Sequence, residues 1–134
     1  AITQQATDNA VTIYNEVPDH LYIKGVKAYT ESILLNFLTN GIKYRSVDKS
    51  SYIKFTAEVS EKFLILSIED NGLGIDLSKN GSKLFGMYKT FHGNADARGL
   101  GLFMSKNQLE AMGARVEVDS KPGYGTNFKL YFQQ

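Results

Sequence analysis

Ile53-Lys54-Phe55-Thr56-Ala57-Glu58-Val59, then Ser60-Glu61-Lys62, then Phe63-Leu64-Ile65-Leu66-Ser67-Ile68, is the stretch on which the fold turns. In its first run Ile53, Phe55, Ala57 and Val59 alternate with Lys54, Thr56 and Glu58, the period of a strand with one face buried. The second run is more apolar, and only Ser60-Glu61-Lys62 separates the two. A link that short joins antiparallel neighbours, because parallel ones need a long crossover. The pair therefore reads as a hairpin and argues against a doubly wound parallel sheet.

Toward the C-terminus the second strand runs into Glu69-Asp70-Asn71-Gly72. From Asp76 to Arg98 the periodicity fails. That stretch holds Gly81, Gly86 and Gly93 among Lys79, Lys83, Lys89 and Arg98. Long connections of this kind are usually functional or mobile. Leu100 to Met112 returns to helical spacing, with Gly113 suited to cap its end. Val116 and Val118 belong to a strand, Lys121-Pro122-Gly123-Tyr124-Gly125 to a turn, and Phe128, Leu130 and Phe132 to a last alternating strand. Toward the N-terminus, Val26, Tyr29, Ile33, Leu34, Phe37, Leu38 and Ile42 recur at helical spacing, which predicts a helix over 26–44 with those residues on its apolar face. Leu21 to Lys24 and Val11 to Tyr14 read as short strands. The order is strands, helix, hairpin, glycine-rich loop, helix, hairpin. It predicts an α+β two-layer sandwich, helices on one face of a mixed, mostly antiparallel sheet.

The 134 residues suit one domain, 1–134, with its own core. Apolar residues make up 43% and charged residues 22%, and 15 basic against 14 acidic residues leave a net charge of +1. A nucleic-acid partner would call for a basic excess, so none is expected. With no cysteine, disulfides and thiolate metal sites are excluded. No apolar run approaches the ~20 residues of a membrane span. A cytoplasmic domain is expected. A chain opening at Ala1 without an initiator Met is expected to be a piece of a longer protein.

Four clusters carry chemistry. On the first helix Asn36, Asn40 and Lys43 lie within about 60° of one another. Asparagine is a poor residue for a helix interior. A solvated face would explain the stripe plainly. A magnesium and phosphate site would explain its chemistry, because amide oxygens suit a hard cation and lysine suits phosphate oxygens. In Asp70-Asn71-Gly72-Leu73-Gly74 a carboxylate closes an apolar strand and two glycines allow close approach. The group reads either as a simple turn or as an acceptor for an exocyclic amine such as that of adenine. Arg98-Gly99-Leu100-Gly101-Leu102 opens the second helix, where free N–H groups suit an anion. Neither a dinucleotide fingerprint nor a lysine-bearing phosphate loop is present. Gly123-Tyr124-Gly125-Thr126, before the last strand, reads by itself as a hairpin turn.

In this order and spacing, Asn36-x3-Asn40, Asp70-x-Gly72-x-Gly74, Gly99-Leu100-Gly101-Leu102 and Gly125-Thr126 resemble the N box and the three glycine boxes of the histidine kinase ATPase domain. Asn36 to Tyr44 is particularly close to the N box, and Leu84-Phe85-Gly86-Met87-Tyr88-Lys89-Thr90-Phe91 looks like the phenylalanine box of the lid. The resemblance covers about 11–132. It implies the Bergerat-type fold of the superfamily shared with gyrase, the ninety-kilodalton chaperones and the MutL proteins. ATP would lie between the helical layer and a lid at about 77–98. Asn40 would be the main magnesium ligand, with Asn36 supporting it or the phosphates. Lys43 would face phosphate and Tyr44 would pack near the nucleotide. Asp70 would hold the adenine amino group, Gly72 and Gly74 would make room for the base, and Ile75 would line its pocket. Gly99, Leu100, Gly101 and Leu102 would cradle phosphates. Thr126 would lie under the adenine, and Tyr88, Lys89 and Arg98 would reach in from the lid.

Two positions depart from the family pattern. Ala97 stands where a further glycine is usual, and the lid reads Phe-Gly-Met-Tyr rather than the commoner Phe-Glu-Pro-Phe. The implied activity is that of an ATP:protein-histidine phosphotransferase in a two-component sensor kinase. Its partners would be a dimerisation and phosphoacceptor domain and, downstream, a response regulator. The parent is expected to be a homodimer and the fragment a monomer. The acceptor should be a helical His followed by an acidic residue. His20 precedes Leu21-Tyr22 in a strand-like segment and His92 falls in the lid, so neither fits, and the chain alone is expected not to phosphorylate itself on histidine. Two readings within the superfamily remain open, an anti-sigma-type serine kinase and a nucleotide-sensing module. A dimerising ATPase would need a glutamate base where Asn36 stands.

Overall fold

The computed structural model describes residues 11–18, 21, 27–46, 50–74 and 100–134. Among these the elements are β1 (Val11–Asn15), α1 (Lys27–Lys43), β2 (Ser51–Val59), β3 (Phe63–Asp70), α2 (Leu100–Ala111), β4 (Arg115–Lys121) and β5 (Gly125–Gln133). The sheet runs in the order β1-β2-β3-β5-β4. β1 pairs with β2 in parallel, and the other neighbours are antiparallel. The expected mixed, mostly antiparallel sheet is therefore present.

Register sorts the side chains into two faces, since alternate residues of a strand point to opposite sides. Phe55, Ile68, Phe128 and Val118 stand in one cross-strand row, and Ala57, Leu66, Leu130 and Val116 in another. The buried core joins this face to Ile33, Phe37 and Ile42 of α1 and to Leu109 of α2. Phe37 and Phe128 meet with ring centroids 4.8 Å apart. Each such buried aromatic or aliphatic side chain contributes about 1.5–3 kcal/mol by leaving water. The intervening rows are polar: Lys54, Glu69, Asn127 and Asp119 share one, and Thr56, Ser67, Lys129 and Glu117 the next. One face packs and the other meets solvent, which is the two-layer arrangement.

Three details differ from the sequence reading. Tyr29, expected on the apolar face of the first helix, is exposed, as is Leu35. Helical spacing alone does not distinguish the centre of the buried stripe from its margin, and the sheet is covered by Ile33, Phe37 and Ile42. β3 also continues to Asp70, two residues beyond Ile68, because the backbone stays paired to Ile53 on one side and Thr126 on the other. Of the proposed strand Leu21 to Lys24, Leu21 is described and lies in no strand, and 22–24 lie outside the described residues. No helix among the described residues is long and apolar enough to cross a membrane.

Candidate functional site

The last row of the helix-facing side is where the sheet changes character. Ile53, Asp70, Thr126 and Ser120 stand side by side across β2, β3, β5 and β4. Ile53 and Thr126 are buried, and Asp70 is half-buried between them. Its Oδ1 accepts the N–H of Gly72 at 2.9 Å, a tight turn that orients the carboxylate. Gly72 has to be small: a Cβ there would stand 2.5 Å from the carbonyl oxygen of Tyr44.

Backbone bonds tie three separate segments together around this aspartate. Leu73 N–H donates to the Tyr44 carbonyl at 2.9 Å, and Gly123 N–H donates to the Leu73 carbonyl at 2.8 Å. The end of α1, the segment after β3 and the β4–β5 turn are thereby held as one unit. Asn71 fixes the other side, accepting the N–H of Tyr52 at 2.9 Å and donating to the Ser50 carbonyl at 2.8 Å. Gly74, at φ 75°, lies against the carbonyl of Lys121.

α1 reaches the same end through Gly41, the residue next to Asn40. Asn36 and Asn40 are half-buried, while Lys43, in the last turn, is exposed. Asn36 Nδ2 donates to Ser105 Oγ at 3.0 Å, and Ser105 is fully buried in α2. This bond fixes the amide and sets its oxygen on the side away from Ser105. Asn36 is thus held inside the fold, whereas Lys43 meets solvent. Gly41 lets α1 approach the sheet closely: a Cβ there would stand 2.8 Å from Ile53 Cδ1 and 3.8 Å from Asp70 Oδ2. The Tyr44 side chain packs against the core. α2 begins at Leu100, so Leu100, Gly101 and Leu102 form its first turn, where N–H groups lack intrahelical acceptors. Ile75, Tyr88, Lys89, Arg98 and Gly99, the lid at 77–98 and its phenylalanine box lie outside the described residues.

An open depression of about 250 Å³ adjoins the row and is lined by Asp70, Ser120, Gly125 and Thr126 together with Tyr52, Glu69 and others. Tyr52 and Glu69 belong to the polar face, so the depression wraps around the strand ends instead of lying between sheet and helices. The Tyr52 phenol is held above its ordinary pKa by burial, then by the bond it donates to Glu69 and by the charges of Glu69 and Asp70. It stays a proton donor, bonded to Glu69 Oε2 at 3.0 Å.

Sequence reasoning missed three residues here. Gly41 left a signal, since a glycine inside a helical pattern often marks close packing. Ser105 and Ser120 left none, because their partners are set by tertiary contact. Ser105→Ala would leave the Asn36 amide without its buried acceptor. It is expected to lower stability to urea unfolding by about 1–2 kcal/mol. An unchanged unfolding free energy would mean that the bond contributes nothing.

The family described as histidine kinase-, DNA gyrase B-, and HSP90-like ATPase matches residues 25–134. The signal transduction histidine-protein kinase AtoS of Escherichia coli (strain K12) is 38% identical over 100 residues, covering 75% of this chain and 16% of AtoS. The chain thus spans about a sixth of that relative's length. Among solved structures, the catalytic domain of histidine kinase ThkA superposes with a TM-score of 0.81 at 18% identity, covering 98% of this chain and 86% of that one. Full-length ShkA in complex with AMPPNP superposes with a TM-score of 0.80 at 24% identity, covering 98% of this chain and 27% of that one. At such identities these likenesses establish the fold.

Proposed function

Because this chain belongs to the histidine kinase-, DNA gyrase B- and HSP90-like ATPase family, as an ATP-binding domain of the sensor histidine kinase type, we propose that it binds Mg-ATP and presents the γ-phosphoryl group to a histidine on a separate dimerisation domain. One observation carries the reading. A half-buried carboxylate, Asp70, is held at a strand end by Gly72 N–H, in a row with Thr126 and close to Gly41 of α1, the residue next to Asn40. The carboxylate suits the exocyclic amine of adenine, and the α1 stripe of Asn36 and Asn40 suits the phosphate end.

The donor set fits a magnesium ion that keeps several waters and shares phosphate oxygens. Among the described residues no group of three or more His, Asp or Glu is placed to hold a metal. The ion would rest on the Asn40 amide oxygen, with Asn36 supporting it and the phosphates. When bound, magnesium neutralises phosphate charge. Lys43, the Gly99 to Leu102 segment and a lid over 77–98 with Tyr88, Lys89 and Arg98 would complete the nucleotide contacts. Gly74 and Ile75 would flank the base and Tyr44 would lie near it. Phosphoryl transfer depends mainly on positioning and charge neutralisation, which a domain without its own nucleophile can supply. The AMPPNP complex of ShkA and the histidine kinase relative support this reading. The parent kinase would act as a homodimer with a response regulator downstream.

Calorimetry with Mg-ATP, Mg-ADP and Mg-GTP tests it. Both adenine nucleotides are expected to bind and GTP much less. Incubation with labelled ATP should leave no acid-labile phosphate on this chain by itself. Absence of nucleotide binding in the folded domain would overturn the proposal, and self-labelling on histidine would overturn the separation of acceptor from donor.

A further inference from the structure

Ser120 is absorbed by none of the roles above, yet it sits at the end of the Ile53, Asp70, Thr126, Ser120 row. Its Oγ donates to the Gly125 carbonyl at 2.8 Å. The same Oγ lies 2.8 Å from Thr126 Oγ1. A hydroxyl has one proton, and a carbonyl oxygen can only accept. With the Ser120 proton committed to Gly125, the contact between the two hydroxyls is a hydrogen bond only if Thr126 is the donor. The Thr126 proton is therefore drawn toward β4. Asp70 lies on the opposite, β3 side of Thr126.

The consequence is a fixed polarity. What Thr126 Oγ1 has left is acceptor capacity, and an ionised Asp70 carboxylate offers acceptors alone. The row thus presents two neighbouring acceptors to a base lying against it. That pattern suits an exocyclic amine with two protons, met directly or through a bridging water. It opposes a purine carrying a carbonyl at the same position, because acceptor would face acceptor. Mismatches of this kind discriminate more strongly than lost apolar contacts do.

We infer that Ser120 is a positioning residue for purine selection, acting through the proton of Thr126. The inference rests on the proposed seating of adenine against Asp70. Ser120→Ala would release the Thr126 hydroxyl to turn and donate, so that a 6-carbonyl purine is tolerated. Ser120→Thr keeps the hydroxyl and should restore selection.

The test is calorimetric binding of Mg-ATP and Mg-ITP, which differ at the 6-position and the adjoining ring nitrogen. Purine riboside triphosphate, with hydrogen at that position, is the reference. In Ser120→Ala the ATP to ITP affinity ratio is expected to fall about three- to tenfold, the worth of one neutral hydrogen bond. Affinity for the purine riboside nucleotide should stay as in the wild type, and Ser120→Thr should return the ratio. A ratio unchanged in Ser120→Ala overturns the inference. So does an equal loss for all three nucleotides, which would mark Ser120 as a support of the fold alone. Asp70→Asn separates the two levels. If it changes the ratio while Ser120→Ala does not, only the role of Ser120 fails. If neither changes it, the seating of the base fails as well.

Discussion

Asp70→Asn is expected to weaken binding of Mg-ATP and Mg-ADP by roughly ten- to a hundredfold, the worth of one or two charge-assisted hydrogen bonds. The substitution keeps shape and reverses chemistry. In the wild type both carboxylate oxygens accept. Oδ1 takes the Gly72 N–H at 2.9 Å, and Oδ2 lies toward Gly41, 3.8 Å from where a Cβ on that glycine would stand. The asparagine amide has one acceptor to offer. If its oxygen stays with Gly72, its NH2 group meets the amine of the base, donor against donor. If it flips, the Gly72 bond is lost. Either way the loss should fall equally on ATP and ADP, which share the base, and the preference over GTP should collapse. Calorimetry of the variant beside the wild type reads this directly. Unchanged affinity for the adenine nucleotides would place the base elsewhere in the domain.

The sequence made the hairpins and the core legible because both depend on short-range periodicity. Ile53 to Val59 alternates, the turn at Ser60 to Lys62 is brief, and the structure pairs Phe55 with Ile68 and Ala57 with Leu66 accordingly. Asp70 was legible as a strand-end carboxylate followed by glycines. Thr126 was placed near the same base by the family resemblance alone. It reaches Asp70 because β5 inserts between β3 and β4, an order that local pattern does not encode. The parallel pairing of β1 with β2 depends on the chain between them, and the spacing of Val11, Ile13 and Tyr14 carries no trace of it. Asn36 stands out in the sequence as a poor helix-interior residue, but its partner Ser105 is 69 positions away. Tyr29 shows the converse. Its spacing matched the apolar face, yet tertiary packing left it exposed. Residue types and local spacing were legible in the sequence, and the tertiary partners Ser105 and Ser120 were not.

Gly125→Ala is expected to be the most destabilising change at this end of the molecule, by roughly 2–6 kcal/mol, the combined cost of a strained backbone and of overpacking. Gly125 opens β5 at φ 134°, where side chains are rarely tolerated. A Cβ there would overlap the carbonyl oxygen of Asp70. The obstacle is backbone in a paired strand, so a rotamer change relieves nothing. β3 or β5 has to move, and either movement displaces Asp70 from the row it shares with Thr126. Loss of stability and loss of adenine-nucleotide binding should therefore appear together. Gly123→Ala separates backbone strain from steric overlap. Gly123 also has a positive φ, 83°, but a Cβ there would meet nothing within 4 Å. Its N–H, which holds the Leu73 carbonyl, survives the substitution. That variant should lose only about 1–2 kcal/mol and bind Mg-ATP as the wild type does. Urea unfolding and calorimetry on both variants decide the matter. Equal destabilisation of the two would mean that the close approach of β5 to the Asp70 carbonyl costs nothing. A Gly125→Ala domain of wild-type stability would mean that the strand ends do not sit this close.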